Sequence, residues 1–411
     1  MLACSLPAGA QRATPSLGAE SGMYVEAYDI NNRTARRPPQ SARFYASPTF
    51  SWLGFEVGTS LVWSTENAFS AQTLNRYYLN PRWSWGQVHA GDYTPFMNRW
   101  TTSMVRIRGG GVELSPGKFR VMAVGGVSQA ATAASLFDAA LRRTMYAGLV
   151  GYGDPNRSFV EISALRAVDD STGTDTVSVA PQENVVTSFG AGIAIGPVQV
   201  KAEAAASLFS RDIRASELSS ISQPGGTDGL FTPRVSSRFD ASYSGEARLA
   251  PSSGSIGVQF EEVGPGFSTL GNPYLANDKR EVRVLGTYRL FRNRLAGSAS
   301  IGSRSDNLAG DKRGTTTRRT GMFGATLMTG QWLVSSVSVL FNGITREPPP
   351  VPPGTPDPGI IDSFRVRNIS RSFSLVEQVQ FIAGVPQSVT LSISAQEVDD
   401  ASPRFGNTLD A

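Results

Sequence analysis

Cysteine and histidine are nearly absent from this sequence of 411 residues, which contains one of each. The single cysteine, Cys4, cannot form an internal disulfide, and it provides no thiolate cluster for a metal ion. Any catalysis that uses histidine would depend on His89 alone. The fold must therefore be held together without disulfides or cysteine-bound metal.

Long apolar runs are also missing. No stretch of about 18 apolar residues is present, so the sequence offers no transmembrane helix. Leucine-rich segments with helical periodicity are absent as well, whereas 42 glycines and 25 prolines indicate an all-β chain with many turns. The net charge is +4, but the basic residues are scattered and form no patch, which argues against nucleic acid as a partner.

What the sequence does contain is a period of two. In residues 238–249 the even positions are charged or hydroxylic, while the odd positions are aromatic, small or aliphatic. Residues 198–208 and 388–396 alternate in the same way. Since successive side chains of a strand point to opposite faces, each segment predicts a strand with one wet and one apolar face.

Short and long connections alternate along the chain. Residues 281–290 and 294–301 form a predicted hairpin around a tight turn. Similar pairs with short links lie at 42–51 and 54–64, 76–85 and 87–93, 109–114 and 118–125, and 318–329 and 331–343. Long polar connections lie at 168–183, 210–236, 263–279, 303–317 and 344–362. Tight turns at one rim and extended loops at the other are typical of a transmembrane barrel.

The pattern predicts an all-β fold, an antiparallel transmembrane β-barrel of about 18 or more strands. A soluble β-sandwich also alternates, but its strands are usually shorter and its inner face bulkier. Aromatic residues crowd the first quarter, where they would form interfacial girdles or, in a sandwich, pack in the core. They are Tyr24, Tyr28, Phe44, Tyr45, Trp52, Phe55, Trp63, Tyr77, Tyr78, Trp83, Trp85 and Trp100.

Residues 1–20 are predicted to be a signal-peptide remnant and mobile N-terminus, because a short apolar stretch ends in the small residues Ala8-Gly9-Ala10. Residues 21–411 then form a single outer-membrane barrel. We expect the natural start to lie upstream of Met1, since a basic segment and a full apolar segment are missing.

Several blocks resemble a group of plugless outer-membrane β-barrel proteins, related in architecture to the barrels of TonB-dependent receptors. The blocks are Leu79-Asn80-Pro81-Arg82-Trp83-Ser84-Trp85, residues 89–93, 109–120, 181–184, 263–267 and 270–278. The resemblance implies the fold and an outer-membrane location, but no substrate and no catalytic residue. Residues 405–411 depart from the terminal aromatic strand usual in such proteins, which leaves open that the C-terminal closing strands are missing here.

Catalytic and metal-binding motifs are weak. Asp92 would face away from His89 on a regular strand, so no preformed dyad and no enzyme are expected, and His89 is interpreted as a lumen or surface residue. Gly109-Gly110-Gly111 lacks the Lys-Ser/Thr of a phosphate loop and indicates a strand bend. Carboxylates that lie in or near long loops lack calcium-site spacing, and no cofactor is predicted. They are Glu261, Glu262, Asp278, Asp306 and Asp311.

Arginines give the later strands a positive character. The predicted lumen or rim residues are Arg283, Arg289, Arg294, Arg304, Arg318 and Glu281, with Arg319 beside them. In a narrow lumen such arginines would favour anions, whereas at the rim they would pair with lipid phosphates. The proline-rich residues 348–359 are interpreted as a stiff spacer in a rim loop.

The function predicted from these features is passage or uptake of a solute across the outer membrane, without catalysis. The alternative is a structural barrel that anchors a surface or secretion complex through its loops. Expected partners are outer-membrane lipid, the barrel-assembly machinery during biogenesis, and a surface or periplasmic protein, but no nucleic acid.

Overall fold

The computed structural model describes residues 14–30, 38–66, 74–131, 140–171, 179–218, 229–330, 332–347 and 365–400. Cys4 and the proline-rich residues 348–359 lie outside these ranges. Nowhere in the described ranges is there a helix that is both long and apolar enough to cross a membrane.

The described residues form nineteen β-strands. They are β1 (Ser16–Ala27), β2 (Gln40–Trp52), β3 (Phe55–Ser64), β4 (Arg76–Trp83), β5 (Gly86–Tyr93), β6 (Ile107–Leu114), β7 (Phe119–Gln129), β8 (Arg143–Gly153), β9 (Phe159–Asp169), β10 (Glu183–Ile195), β11 (Val198–Ser210), β12 (Ser237–Leu249), β13 (Gly254–Val263), β14 (Lys279–Leu290), β15 (Leu295–Asp306), β16 (Thr315–Thr329), β17 (Leu333–Glu347), β18 (Val366–Ala383) and β19 (Val385–Asp400). β1 begins at Ser16, so residues 16–20, the last five of the segment predicted to be a signal remnant and mobile terminus, lie in this strand.

Each strand pairs antiparallel with the next strand along the chain, from β1 with β2 to β18 with β19. This arrangement confirms the predicted all-β antiparallel fold with 18 or more strands. It is one sheet of 19 strands, which excludes the alternative of two packed sheets. Within the described residues no pairing joins β1 to β19, so the sheet is not closed there.

Connections are tight at one end of the sheet and long at the other, as the sequence predicts. The turn between β2 and β3 is only Leu53-Gly54, and both residues have positive φ angles of 50° and 79°. Two-residue hairpin turns of this kind match the right-handed twist of the strands they join. We call this end of the sheet the turn end and the other the loop end.

The sheet is strongly curved, because a loop between early strands contacts much later ones. In the β5–β6 loop (residues 94–106), Arg99 forms ion pairs with Glu203 on β11 and Glu261 on β13. In a flat sheet these strands would lie about 25 to 40 Å away, since neighbouring strands are about 4.8 Å apart. The sheet therefore wraps around the loop and encloses an interior, which we call the lumen.

Apolar side chains alternate to the outside and polar ones to the lumen. On β12, the odd-numbered Phe239 and Tyr243 are 60% and 50% exposed, whereas the even-numbered Ser242, on the opposite face of the strand, is fully buried. The outward apolar face recurs on β9, β10 and β13, where Ile162, Ile193 and Ile256 are each more than half exposed. The predicted two-faced strands are thus confirmed, and the apolar face is the outer one.

A hydrophobic core lies inside the lumen, towards the loop end. Its members come from strands β5 to β11 and β13 and from two loops, the β5–β6 loop and the β13–β14 loop (residues 264–278). They include Met97, Trp100, Ile107, Met122, Met145, Leu149, Leu165, Val186 and Phe267. Two loops therefore fill part of the lumen instead of standing above it.

Candidate functional site

Asn98 fixes the β5–β6 loop to the lumen wall. Its amide nitrogen donates to the hydroxyls of Ser163 on β9 and Ser188 on β10, at 2.8 and 2.9 Å. Its carbonyl oxygen accepts from the backbone N–H groups of Trp100 and Thr101 and from the Thr101 hydroxyl, each at 3.0 Å. One buried asparagine thus orders the loop and attaches it to two strands.

Trp100 follows Asn98 into the lumen and is fully buried. Its indole Nε1 donates to Glu203 Oε2 at 2.8 Å, and its ring meets Phe267 of the β13–β14 loop edge-to-face, with centroids 5.8 Å apart. The Arg99 guanidinium lies 4.5 Å from the centre of the indole ring. The sequence-based placement of Trp100 in an interfacial girdle is therefore wrong, because this residue belongs to an inward loop and not to a strand end.

Other predicted girdle residues do face outward. Trp52, Trp63, Tyr77 and Trp85 are each nearly half exposed. Tyr78 differs, because its hydroxyl contacts His89 inside the lumen.

The β13–β14 loop is attached through a second asparagine. Asn184 on β10 donates its amide to the Ser268 carbonyl at 3.1 Å and accepts from the Leu270 N–H at 2.9 Å. The two loops also lock together, since the Ser103 N–H donates to the Gly271 carbonyl at 2.8 Å. A Cβ atom at Gly271 would lie 1.9 Å from the Thr101 carbonyl oxygen, so only glycine permits this approach.

The C-terminal end of the β13–β14 loop, at Asp278, is fixed to the next loop by an ion pair and hydrogen bonds. Asp278, which is 2% exposed, accepts from the N–H groups of Asn307 and Leu308 and pairs with Lys312. Burial opposes ionisation of Asp278, but the hydrogen bonds from Lys312 and the two backbone amides outweigh it and hold its pKa below the ordinary value. In turn, the Asp278 carboxylate raises the pKa of Lys312.

Charged side chains on the lumen wall follow one register row. Glu161 on β9, Glu203 on β11, Glu261 on β13 and Glu281 on β14 are linked by the cross-strand pairing. The row then continues with Arg304 on β15 and Arg318 on β16. Side chains in one row face the same side of the sheet. Four glutamates are thus followed by two arginines along one row just below the two loops. We call these six residues the charged row.

The row brings together three of the six predicted lumen residues: Glu281, Arg304 and Arg318. Arg283 shares their face and forms an ion pair with Glu281, while Arg318 Nε donates to Asn342 Oδ1 at 3.1 Å. Alternation places Arg319 on the opposite, outward face.

Two predicted residues lie elsewhere. Arg289 is near the turn end of β14, and Arg294 is in the β14–β15 turn, where its N–H donates to the Phe291 carbonyl. Neither reaches the charged row.

His89 is a buried lumen residue with partners on both ring nitrogens. Nδ1 lies 2.7 Å from the Tyr78 hydroxyl, Nε2 lies 3.1 Å from Glu113 Oε1, and the ring stacks on Tyr93 with centroids 4.5 Å apart. Asp92 instead pairs with Arg108 at 2.9 Å. The geometry shows a packed network without the His–Asp dyad of a hydrolase.

Glycines let this aromatic stack sit against β6. A Cβ atom at Gly111 would lie 1.8 Å from the Tyr93 hydroxyl, so Gly111 makes room for the stack within β6, whereas a Cβ atom at Gly109 would meet the Gly125 carbonyl oxygen of β7 at 2.0 Å.

Three of the five carboxylates considered for calcium form ion pairs with basic side chains. Glu261 pairs with Arg99 and Lys279, Glu262 with Arg280, and Asp278 with Lys312. In the part of the chain that the structure describes, no three potential metal ligands cluster together.

Asn98, Asn184 and Gly271 carry the loop attachments. From the sequence alone Asn98 had no predicted role, and Asn184 and Gly271 were noted only as members of the resembling blocks 181–184 and 270–278. Asn98 lies in the β5–β6 loop and Asn184 is the second residue of β10, and the local sequence around a lone asparagine does not distinguish its many structural uses. The roles of Asn98 and Asn184 depend on contacts with residues 65 to 90 positions away in sequence, which local pattern does not encode.

No protein-family model matches the chain, and no curated protein matches it. Among solved structures, the outer membrane protein opdK from Pseudomonas aeruginosa matches with a TM-score of 0.39 and 11% identity, over 87% of this chain and 93% of that chain. OccAB1 from Acinetobacter baumannii gives 0.41 and 10%, over 82% and 91% of the two chains. A BenF-like porin from Pseudomonas fluorescens Pf-5 gives 0.39 and 11%, over 95% and 99%.

These scores and identities are too low to carry an argument. The fold class therefore rests on the strand pairing of this chain, and a fold alone does not define a function. The resemblance to TonB-dependent-receptor barrels stays a prediction.

Proposed function

We propose that the protein is an outer-membrane β-barrel that lets a small polar solute pass through a lumen narrowed by two inward loops. The observation that carries this proposal is the position of the charged row. It lies directly below the β5–β6 loop, whose Arg99 contacts two members of the row, Glu203 and Glu261. Charged side chains that line a constricted lumen are an arrangement by which pores select solutes.

The outward face supports a membrane location. Large apolar side chains stand exposed on many strands, among them Phe189, Val200, Val258 and Leu391. A water-soluble protein rarely exposes such an extended apolar surface, whereas lipid covers it without cost. In this placement the tight turns lie at the periplasmic rim and the long loops outside the cell. Lipid and the barrel-assembly machinery are the partners that such a barrel requires.

The test is single-channel recording of the full chain, folded in detergent and inserted into planar bilayers in KCl. We expect discrete conductance steps. The reversal potential in asymmetric KCl should move in opposite directions for Glu281→Gln and Arg304→Gln, because the two variants remove opposite charges from neighbouring positions of the row. A barrel that is heat-modifiable on gels and inserts into bilayers, but passes no current, would contradict the proposal.

The same loops favour a second function. Trp100 and Phe267 are 0% and 1% exposed, and a lumen filled in this way suits a closed barrel that anchors a complex. A silent but folded barrel that co-purifies with a surface or periplasmic protein after cross-linking would support the anchor. Steady conductance would exclude it as the main role.

A further inference from the structure

A cavity of about 270 Å³ lies between the tip of the β5–β6 loop and the inner faces of β11, β12 and β13. Arg99 covers it from the loop side. The wall residues that face it with polar side chains are Lys201, Glu203, Ser244, Glu246, Gln259 and Glu261. It is therefore a polar chamber at the level of the charged row.

Three of its five charged side chains, Arg99, Glu203 and Glu261, already have oppositely charged partners in the protein. Arg99 pairs with Glu203 at 3.5 Å and with Glu261 at 3.1 Å. Glu261 also pairs with Lys279 at 2.9 Å, and Glu203 accepts from Trp100 Nε1. These groups form a closed network that shapes the chamber and holds the loop.

The other two charged residues of the chamber, Lys201 and Glu246, do not belong to this network. Among the described residues, neither has an oppositely charged partner within 4.0 Å. The Lys201 ammonium instead lies 5.9 Å from the centre of the Phe159 ring, and it interacts with the Glu161 carboxylate only beyond ion-pair distance. Lys201 and Glu246 are direct cross-strand neighbours, and Glu246 is the neighbour of Gln259. The chamber thus presents one cation, one anion and one amide side by side.

We propose that this chamber binds a small zwitterion, with its carboxylate against Lys201 and its ammonium against Glu246. Side chains at directly opposed positions of neighbouring strands have Cβ atoms about 5 Å apart, which suits a ligand whose two charges are a few atoms apart. A singly charged ligand would leave either Lys201 or Glu246 without a partner in a partly desolvated site. Gln259 can donate to or accept from the rest of the molecule. This inference rests on the proposed function, whose solute it specifies.

The experiment is isothermal titration calorimetry of the detergent-folded full chain with glycine, and with its two singly charged fragments, acetate and methylammonium. We expect glycine to bind at least about tenfold more tightly than either fragment, because only glycine forms both charge-assisted contacts. Lys201→Met and Glu246→Gln should each weaken glycine binding by about tenfold or more. Lys118→Met in the β6–β7 turn and Glu347→Gln at the loop end of β17 are matched controls that should bind glycine like the wild type.

Equal affinity for the three probes, or unchanged glycine binding in folded Lys201→Met and Glu246→Gln, would overturn the inference. Folding of each variant is checked by heat-modifiability on gels. Conductance in KCl is recorded in parallel, so that the two proposals fail separately. A barrel that conducts but does not bind glycine refutes only the zwitterion chamber, and one that binds glycine but does not conduct refutes only the pore.

Discussion

Replacing Asn98 with alanine should release the β5–β6 loop from the lumen wall. The substitution removes five hydrogen bonds at once, two donated to Ser163 and Ser188 and three accepted from Trp100 and Thr101. Each contributes about 1 kcal/mol net, and a buried group left without a partner costs about 1 to 3 kcal/mol. Since the two serines still bond each other at 2.7 Å, we take about 3 to 5 kcal/mol as the total loss of docking free energy.

This loss translates into a large change in the open population. At about 1.4 kcal/mol per factor of ten, the detached loop should become roughly 10²- to 10⁴-fold more populated. Hydrogen exchange measured by mass spectrometry reports the change directly, because the amides of Trp100 and Thr101 are protected by Asn98 itself. The peptide covering 94–106 should lose protection, while peptides from the tight turns should not.

Asn342→Ala is the matched control, because Asn342 is also a lumen asparagine but, among the described residues, its side chain bonds only to Arg318. It should leave the exchange of the β5–β6 loop unchanged. If folded Asn98→Ala retained wild-type protection of that peptide, the loop would not be held by this hub, and the reasoning would be refuted.

Three further predictions concern the loops. Arg99→Gln removes the cation that pairs with two glutamates of the charged row, so the reversal potential in asymmetric KCl should shift towards cation preference; no shift would contradict the assigned position of Arg99. Gly271→Ala would place a Cβ atom 1.9 Å from the Thr101 carbonyl oxygen, so the two loops should separate and both loop peptides should exchange faster; unchanged exchange would refute the interlock. The pKa of Asp278 is lowered and that of Lys312 raised, so the pair should stabilise the β13–β14 loop fully between about pH 4 and pH 10. The contribution of the pair to stability should fade as the pH falls below the ordinary pKa of aspartate or rises above the ordinary pKa of lysine. Limited proteolysis of the wild type and of Asp278→Asn across this pH range measures the effect. If the cleavage rates of both proteins changed equally with pH, the assigned role of the pair would be contradicted.

The sequence by itself determined the strands and their faces. Alternation in residues 238–249 places Phe239 and Tyr243 on one face and Asp240 and Ser242 on the other, and the structure keeps that division. The reason is local: side chains of a strand alternate by geometry, so the period of two is written directly into neighbouring residues. The positions of tight turns also follow from a few neighbouring residues, as in the Leu53-Gly54 turn between β2 and β3.

Which side chains enter the lumen and meet there was decided by the tertiary structure. Trp100 is an aromatic near strand ends in the sequence, and only the curvature of the sheet brings β11 and β13 close enough for its loop to enter the interior. Likewise, the charged row joins Glu161 to Arg318 across eight strands, because a register is a property of all the hairpins together. A single strand shows which side chains share a face. Which of them meet depends on cumulative pairing and curvature, and these arise only when the whole sheet has formed.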